Sequence, residues 1–266
     1  MFINKRKLKM KRYSSGELKL IHSELNSYIE NNFVEILFLN NDYSFFELLI
    51  IIDYYISNKV IVNLILSYLP YQRMDHKGRD EVATLTNVAN ILNCYPINHL
   101  TICEPHSEIS DFKNAVKFSL VETIKDKVFK DLNYTDDDFS VVFTDKGAKE
   151  RYKHLFGKSV YFNKARNKET GLIEKHEIVG ELKGKTKVLI VDDIISTGDT
   201  IINIVDYLTK QNVKEIFVLS GHFEKNKYNK RLFQHKNVVK VYSTNSLTKK
   251  QNRKLKLFDI KELIYG

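Results

Sequence analysis

The chain has 266 residues, 43% of them hydrophobic and 28% charged, a balance that excludes a disordered chain and suits one large or two modest domains. Its 42 Lys and Arg against 33 Asp and Glu leave a formal net charge of +9, which fits either phosphate contacts to nucleic acid or the handling of small anions. Cys94 and Cys103 are too few for a disulfide framework, and no apolar run approaches the roughly 20 residues of a membrane span.

Basic clusters at Lys5–Arg12 and Lys249–Lys256 lack interleaved aromatic residues, so nucleic acid is not expected as a partner. The N-terminal Met-Phe-Ile-Asn-Lys-Arg-Lys has no apolar segment behind its charges. A secretory signal is therefore not expected, and the cytoplasm is the expected compartment.

In chain order, apolar and β-branched runs predict strands at Val34–Leu39, Val60–Leu69, Leu100–Cys103, Val141–Phe143, Ser159–Phe162, Lys187–Val191, Glu215–Ser220 and Val238–Val241. Helical patterns fall between them at Ser44–Ile56, Glu81–Leu92, Phe112–Lys130 and Thr200–Thr209, with a polar loop around Asn133–Asp138. Strands alternating with helices predict an α/β fold whose sheets are mainly parallel and flanked by helices. The same rhythm in each half predicts two similar domains, residues 1–118 and 119–266, packed without a Gly/Ser or Pro-rich linker.

The most informative stretch is Val188-Leu-Ile-Val-Asp192-Asp193-Ile-Ile-Ser196-Thr197-Gly198-Asp199-Thr200. A buried strand ends in paired carboxylates at the sheet edge where α/β folds bind ligands. Two carboxylates can accept hydrogen bonds from a vicinal diol such as the ribose 2- and 3-hydroxyls. Backbone N–H groups at Gly198 and the following helix N-terminus suit phosphate, and Ser196, Thr197 and Thr200 add hydroxyl donors.

This stretch resembles the phosphoribosyl-diphosphate loop of type I phosphoribosyltransferases and ribose-phosphate diphosphokinases. Further segments, in that order along the chain, resemble the diphosphokinases, also called PRPP synthetases. They are Arg12-Tyr13-Ser14-Ser15-Gly16-Glu17; Asn41-Asp42 with Glu47-Leu48-Leu49 and Asp53; Pro70-Tyr71-Gln72-Arg73-Met74-Asp75-His76; Glu104-Pro105-His106-Ser107; Asp145-Lys-Gly147-Ala148 with Arg151; Lys164-Ala-Arg166; and Asn245-Ser246.

The resemblance implies two phosphoribosyltransferase-like domains, the first holding ATP and the second the ribose phosphate. It implies transfer of the β,γ-diphosphoryl group of ATP to the anomeric hydroxyl of ribose 5-phosphate, giving PRPP and AMP. Lys164, Arg166 and His106 would be catalytic. Tyr13, Glu17, Arg73, Asp75 and His106 would bind ATP, and His106, Asp145 and Glu104 would hold Mg²⁺. Asp192, Asp193, Ser196, Thr197, Gly198, Asp199 and Thr200 would bind the ribose phosphate. A homo-oligomer, a dimer or a hexamer built from dimers, is implied as well, with Tyr13 stacking on adenine from a neighbouring subunit.

The chain departs from the family pattern at ligand positions. Ser15 replaces an acid in the adenine loop, Met74 a Gln and His76 a basic residue, and the usual DTGGT reads Ser196-Thr-Gly-Asp199-Thr. A carboxylate at Asp199 beside a dianionic monoester costs binding energy unless it points away. This admits a second acceptor, a ribose whose 5′-phosphate is already esterified, such as ADP-ribose. A type I phosphoribosyltransferase using the same loop and a catalytically weak regulatory paralogue remain the competing readings. The segments before Arg12 and after Asn245, short for the family, are those that normally shape its oligomer and regulatory site.

Overall fold

The computed structural model describes residues 1–40, 43–76, 81–135, 138–157, 159–166, 173–182 and 186–266; residues 164–166 and 173–177 are described by backbone alone. Asn41-Asp42, and Asp136-Asp137 of the expected polar loop, lie outside the described residues. The chain divides into two compact units, Met1–Phe118 with Ile264–Gly266, and Ser119–Leu263.

In the first unit, β1 (Phe2–Ile3), β2 (Arg6–Lys7), β3 (Lys11–Arg12) and β4 (Leu18–Lys19) precede α1 (His22–Asn26). Then come β5 (Phe33–Phe38), α2 (Phe45–Ser57), β6 (Ile61–Leu66), α3 (Thr84–Asn93), β7 (His99–Cys103) and β8 (Ala115–Phe118). The main sheet has the order β2-β1-β5-β6-β7-β8 and is parallel from β5 to β8, while β3 and β4 form a separate hairpin. Helix α2 starts where Ser44 and Glu47 form a reciprocal capping box, which satisfies backbone donors that a helix start leaves open. Its Leu48, Ile51, Ile52 and Tyr55 recur at three- and four-residue spacing, and so turn one face into a core with Ile36, Leu64 and Ile102.

The second unit contains α4 (Leu120–Leu132), β9 (Ser140–Phe143), α5 (Lys146–Tyr152), β10 (Ser159–Arg166), β11 (Ile173–Val179), β12 (Lys187–Ile195) and α6 (Asp199–Lys210). It continues with β13 (Glu215–Phe223), a 3₁₀ turn at Lys227–Asn229, α7 (Lys230–Gln234), β14 (Val238–Thr244), β15 (Leu255–Phe258) and α8 (Ile260–Tyr265), whose last residues belong to the first unit. The sheet order is β11-β10-β9-β12-β13-β14-β15, parallel except for the β10–β11 pair.

Both faces of this sheet are covered, which explains the unbroken apolar run of β12. Val188 and Ile190 pack on one side with Ile201 and Val205 of α6; Leu189 and Val191 pack on the other with Val121 of α4 and Tyr152 of α5. From β9 the chain moves outward to β10 and β11, then returns to β12 on the opposite side of β9 and proceeds the other way. The reversal falls between β9 and β12, and the carboxyl ends of strands at such a reversal are where doubly wound sheets take their ligands.

Three sequence expectations are corrected. The helix expected over Phe112–Lys130 is strand β8 followed by α4, because the Ser119 hydroxyl accepts from Glu122 N at 3.2 Å and starts the helix there. Strand β12 continues past Val191 to Ile195, since Asp192 and Ile194 stay in register with Ser220 and His222 of β13. Strand β10 runs on to Arg166 because it pairs with β11, whose polar middle, Glu174-Lys-His-Glu177, no apolar pattern announces. No helix among the described residues is long and apolar enough to cross a membrane.

Candidate functional site

In the second unit, Asp145 follows β9, and Asp192 and Asp193 lie near the carboxyl end of the adjacent β12. Asp145 caps α5, its Oδ1 accepting from Ala148 N at 2.8 Å. Asp193 is buried and lies 3.2 Å from Arg151 Nη1 on the same helix. Asp193 N donates to Asp192 Oδ1 at 3.0 Å, so the backbone of one acid fixes the carboxyl of the other. Burial, followed by the Asp193 charge, pushes the Asp192 carboxyl well above the usual carboxylate range, with Asp145 adding repulsion. The site therefore concentrates negative charge that Arg151 only partly offsets, an arrangement that favours hydroxyl donors or a cation.

The loop after β12 turns on Gly198, whose φ of +85° is left-handed and which caps α6. A Cβ there would meet nothing nearer than 3.8 Å, so backbone conformation rather than space calls for glycine. Ser196 is fastened to the segment after β13: its Oγ donates to Glu224 Oε2 at 2.6 Å, and its carbonyl accepts from Asn226 Nδ2 at 2.9 Å and Asn229 Nδ2 at 2.5 Å. The Thr197 hydroxyl accepts from Asp199 N at 3.5 Å. Asp199 itself opens the helix, 61% exposed, with Arg231 Nη1 3.9 Å away. Thr200 is the next residue of α6, and Asn245 at the end of β14 accepts from Ile260 N at 2.9 Å.

Beneath this edge lies a buried polar group. His222 Nδ1 is 2.8 Å from Ser246 Oγ, and Ser220 Oγ donates to the His222 carbonyl at 2.9 Å. Ser220 lies beside Asp192 in the β12–β13 ladder, so this polar group sits towards the carboxyl end of the sheet. Lys164 and Arg166 lie on β10, Lys164 opposite His176 of β11.

In the first unit, the β3–β4 hairpin presents Tyr13, 54% exposed, and Glu17, whose carboxylate accepts from Ser15 Oγ at 2.8 Å. Gly16 has a φ of +91° in this turn. Arg12 donates to the Gly16 carbonyl at 2.7 Å and to Glu47 Oε1 at 2.5 Å, tying the hairpin to the start of α2. Arg73 is exposed and Asp75 lies 3.6 Å from His76 Nε2, both beyond the carboxyl end of β6. Glu104, buried, and His106 lie beyond the carboxyl end of β7. Gln72 joins these two loops: fully buried, it accepts from His106 N at 3.3 Å.

The structure thus brings Asp145, Asp192 and Asp193 together in one unit, and the loops of Arg73, Asp75, Glu104 and His106 together in the other. Gln72, Glu224, Asn226 and Asn229 were not singled out as site residues from the sequence. Their partners lie about 30 residues away in the chain, and no local spacing marks such pairs.

Residues 148–252 match the family model for the phosphoribosyl transferase domain. The chain is 29% identical to a ribose-phosphate pyrophosphokinase of Sulfurisphaera tokodaii over 232 residues, covering 80% of this chain and 75% of that one. It is 25% identical to the ribose-phosphate pyrophosphokinase of Staphylococcus epidermidis over 256 residues, covering 93% and 79% of the two chains. Its fold is similar to that of the phosphoribosylpyrophosphate synthetase from Mycobacterium smegmatis, with a TM-score of 0.75 at 22% identity, covering 96% of this chain and 87% of the other.

Proposed function

Since the chain belongs to the ribose-phosphate pyrophosphokinase family of phosphoribosyltransferase-like transferases, we propose that it moves the β,γ-diphosphoryl group of ATP to the anomeric hydroxyl of a ribose bearing a 5′-phosphate, free or esterified. The sugar oxygen attacks the β-phosphorus, the O–Pβ bond forms, and the bond from Pβ to the bridging oxygen of AMP breaks. The hydroxyl proton leaves to solvent. The observation that carries the reading is the reversal of strand order at β9 and β12, where Asp145, Asp192 and the buried Asp193 precede a left-handed Gly198 and the start of α6.

In this reading Asp192 and Asp193 accept from the ribose hydroxyls, and the backbone from Ser196 to Thr200 receives the 5′-phosphate. Lys164 and Arg166 neutralise charge building on the transferring phosphates, so catalysis is mainly positioning and electrostatics. Arg73 and Asp75 orient the triphosphate, and Tyr13 and Glu17 serve the adenine side. The exposure of Tyr13 suits a contribution to a neighbouring subunit of a homo-oligomer.

The residues present fit Mg²⁺. Asp145, Asp192 and Asp193 are hard oxygen donors that repel one another, yet no group of three His, Cys, Asp or Glu among the described residues forms a ready cage. That suits an ion drawing most of its ligands from phosphate and water. Asp145, next to the Asp192–Asp193 pair in the second unit, would hold it, and it would supply charge neutralisation on the diphosphate.

The test is AMP release from ATP and Mg²⁺ with ribose 5-phosphate or ADP-ribose offered separately. Acceptor-dependent AMP is expected; no release above the ATPase background with either acceptor overturns the reading.

A further inference from the structure

The acceptor loop does not end at α6. Ser196, its first residue, is held through both hydroxyl and carbonyl by Glu224, Asn226 and Asn229. Those residues belong to the segment Glu224-Lys-Asn-Lys-Tyr-Asn-Lys-Arg231 that leads from β13 into α7. Its 3₁₀ turn is preorganised by a reciprocal cap: Tyr228 N donates to Asn226 Oδ1 at 2.9 Å, and Asn226 N to Asn229 Oδ1 at 2.9 Å. On this fixed turn Tyr228 is 55% exposed, with Lys227 Nζ 5.1 Å from the ring centroid.

A large aromatic face held in solvent beside cations, one short turn from a phosphate loop, is suited to stacking a base and pairing a second phosphate. The charge at the loop points the same way. Asp199 and Glu224 place carboxylates at the first helical residue and on the Ser196 hydroxyl, whereas Arg231 is exposed and 3.9 Å from Asp199. A phosphate monoester carries about −1.5 to −2 charges at neutral pH. A diester carries a single charge and meets less repulsion from the two carboxylates.

We propose that Glu224–Arg231 forms a subsite for a nucleotide-like group esterified to the 5′-phosphate of the acceptor, with Tyr228 stacking the base, Lys227 and Arg231 meeting the second phosphate, and Glu224 selecting against the free monoester. The inference rests on the reading of the site as a diphosphokinase and narrows its acceptor to a ribose 5′-phosphodiester or diphosphodiester.

The experiment compares ADP-ribose with ribose 5-phosphate as acceptors for the wild type, Tyr228→Ala and Glu224→Gln. The expected KM for ADP-ribose is at least tenfold below that for ribose 5-phosphate. Tyr228→Ala should raise the ADP-ribose KM about tenfold with kcat preserved, and move the ribose 5-phosphate KM less than twofold. Glu224→Gln should lower the ribose 5-phosphate KM. An equal or lower wild-type KM for ribose 5-phosphate, or a Tyr228→Ala effect equal on both acceptors, overturns the subsite. If neither acceptor yields AMP, the diphosphokinase reading fails separately. Calorimetry then decides the subsite: ADP-ribose binding lost in Tyr228→Ala supports it, and binding that is absent or indifferent to Tyr228 sinks it.

Discussion

Arg151 reaches from α5 to within 3.2 Å of the buried Asp193 carboxylate, and so joins a helix to the strand end that carries the acid pair. The two residues are 42 positions apart in the chain (193 − 151), and only the packing of α5 against β12 makes them partners. Removing the guanidinium takes from the buried Asp193 its ion-pair partner on α5. Arg151→Met should therefore destabilise the protein by about 3–5 kcal/mol. Urea unfolding measures this directly, and a loss under 1 kcal/mol would show that the pair is not the main support of Asp193. Arg151→Lys should recover part of the loss.

Gly198→Ala tests the turn before α6. With no atom nearer than 3.8 Å to an added Cβ, the cost is that of placing an L-residue at a φ of +85°, about 1–2 kcal/mol. Gly198→Asn should lose less, because Asn enters the left-handed region more readily. Equal losses for Ala and Asn in denaturant titrations would contradict a conformational origin.

The Arg12–Glu47 pair makes the hairpin pH-sensitive. Hydrogen bonding from Arg12, the largest influence, holds the Glu47 carboxyl below the usual range. A depressed folded value means that the stabilisation is complete above the unfolded value, about 4.3, and is lost as pH falls through the folded one. Wild type should thus exceed Glu47→Gln in Tm at pH 7, and the difference should shrink steadily below pH ~4.3. A difference that persists undiminished in strong acid would rule out this linkage.

What the sequence disclosed follows from how local each signal is. The parallel strands around Ile36, Leu64, Ile190 and Val218 were legible because burial on both faces writes an unbroken apolar run. Ala115-Val-Lys-Phe118 was not, since a short, half-exposed strand beside a helix start lacks both length and periodicity. The site behaved similarly: the order of acids, hydroxyls and glycine from Asp192 to Thr200 is local and readable. Arg151 stood in a recognised segment, but its pairing with Asp193, like the grip of Glu224 on Ser196, comes from tertiary packing.

Kinetics separate binding from chemistry. Lys164→Ala should lower kcat by about 10²–10³ while changing acceptor KM little, the signature of a charge needed mainly in the transition state. Asp192→Asn should chiefly raise acceptor KM, as expected for a group that meets the ribose hydroxyls in the ground state. Equal changes in kcat and KM for Lys164→Ala, or an unmoved KM for Asp192→Asn, would exchange or remove these roles.

The strand carrying Lys164 and Arg166 pairs on its outer side with β11, the outermost strand of its sheet. A sheet border invites pairing with another chain unless charge discourages it. In Ile173-Glu-Lys-His-Glu-Ile-Val179 the border strand places Glu174, Lys175 and Glu177 between apolar ends. On the role proposed for Lys164 and Arg166, border protection and transfer share a single hairpin, and stripping charge from β11 to tune the transfer step should also open a route to aggregation.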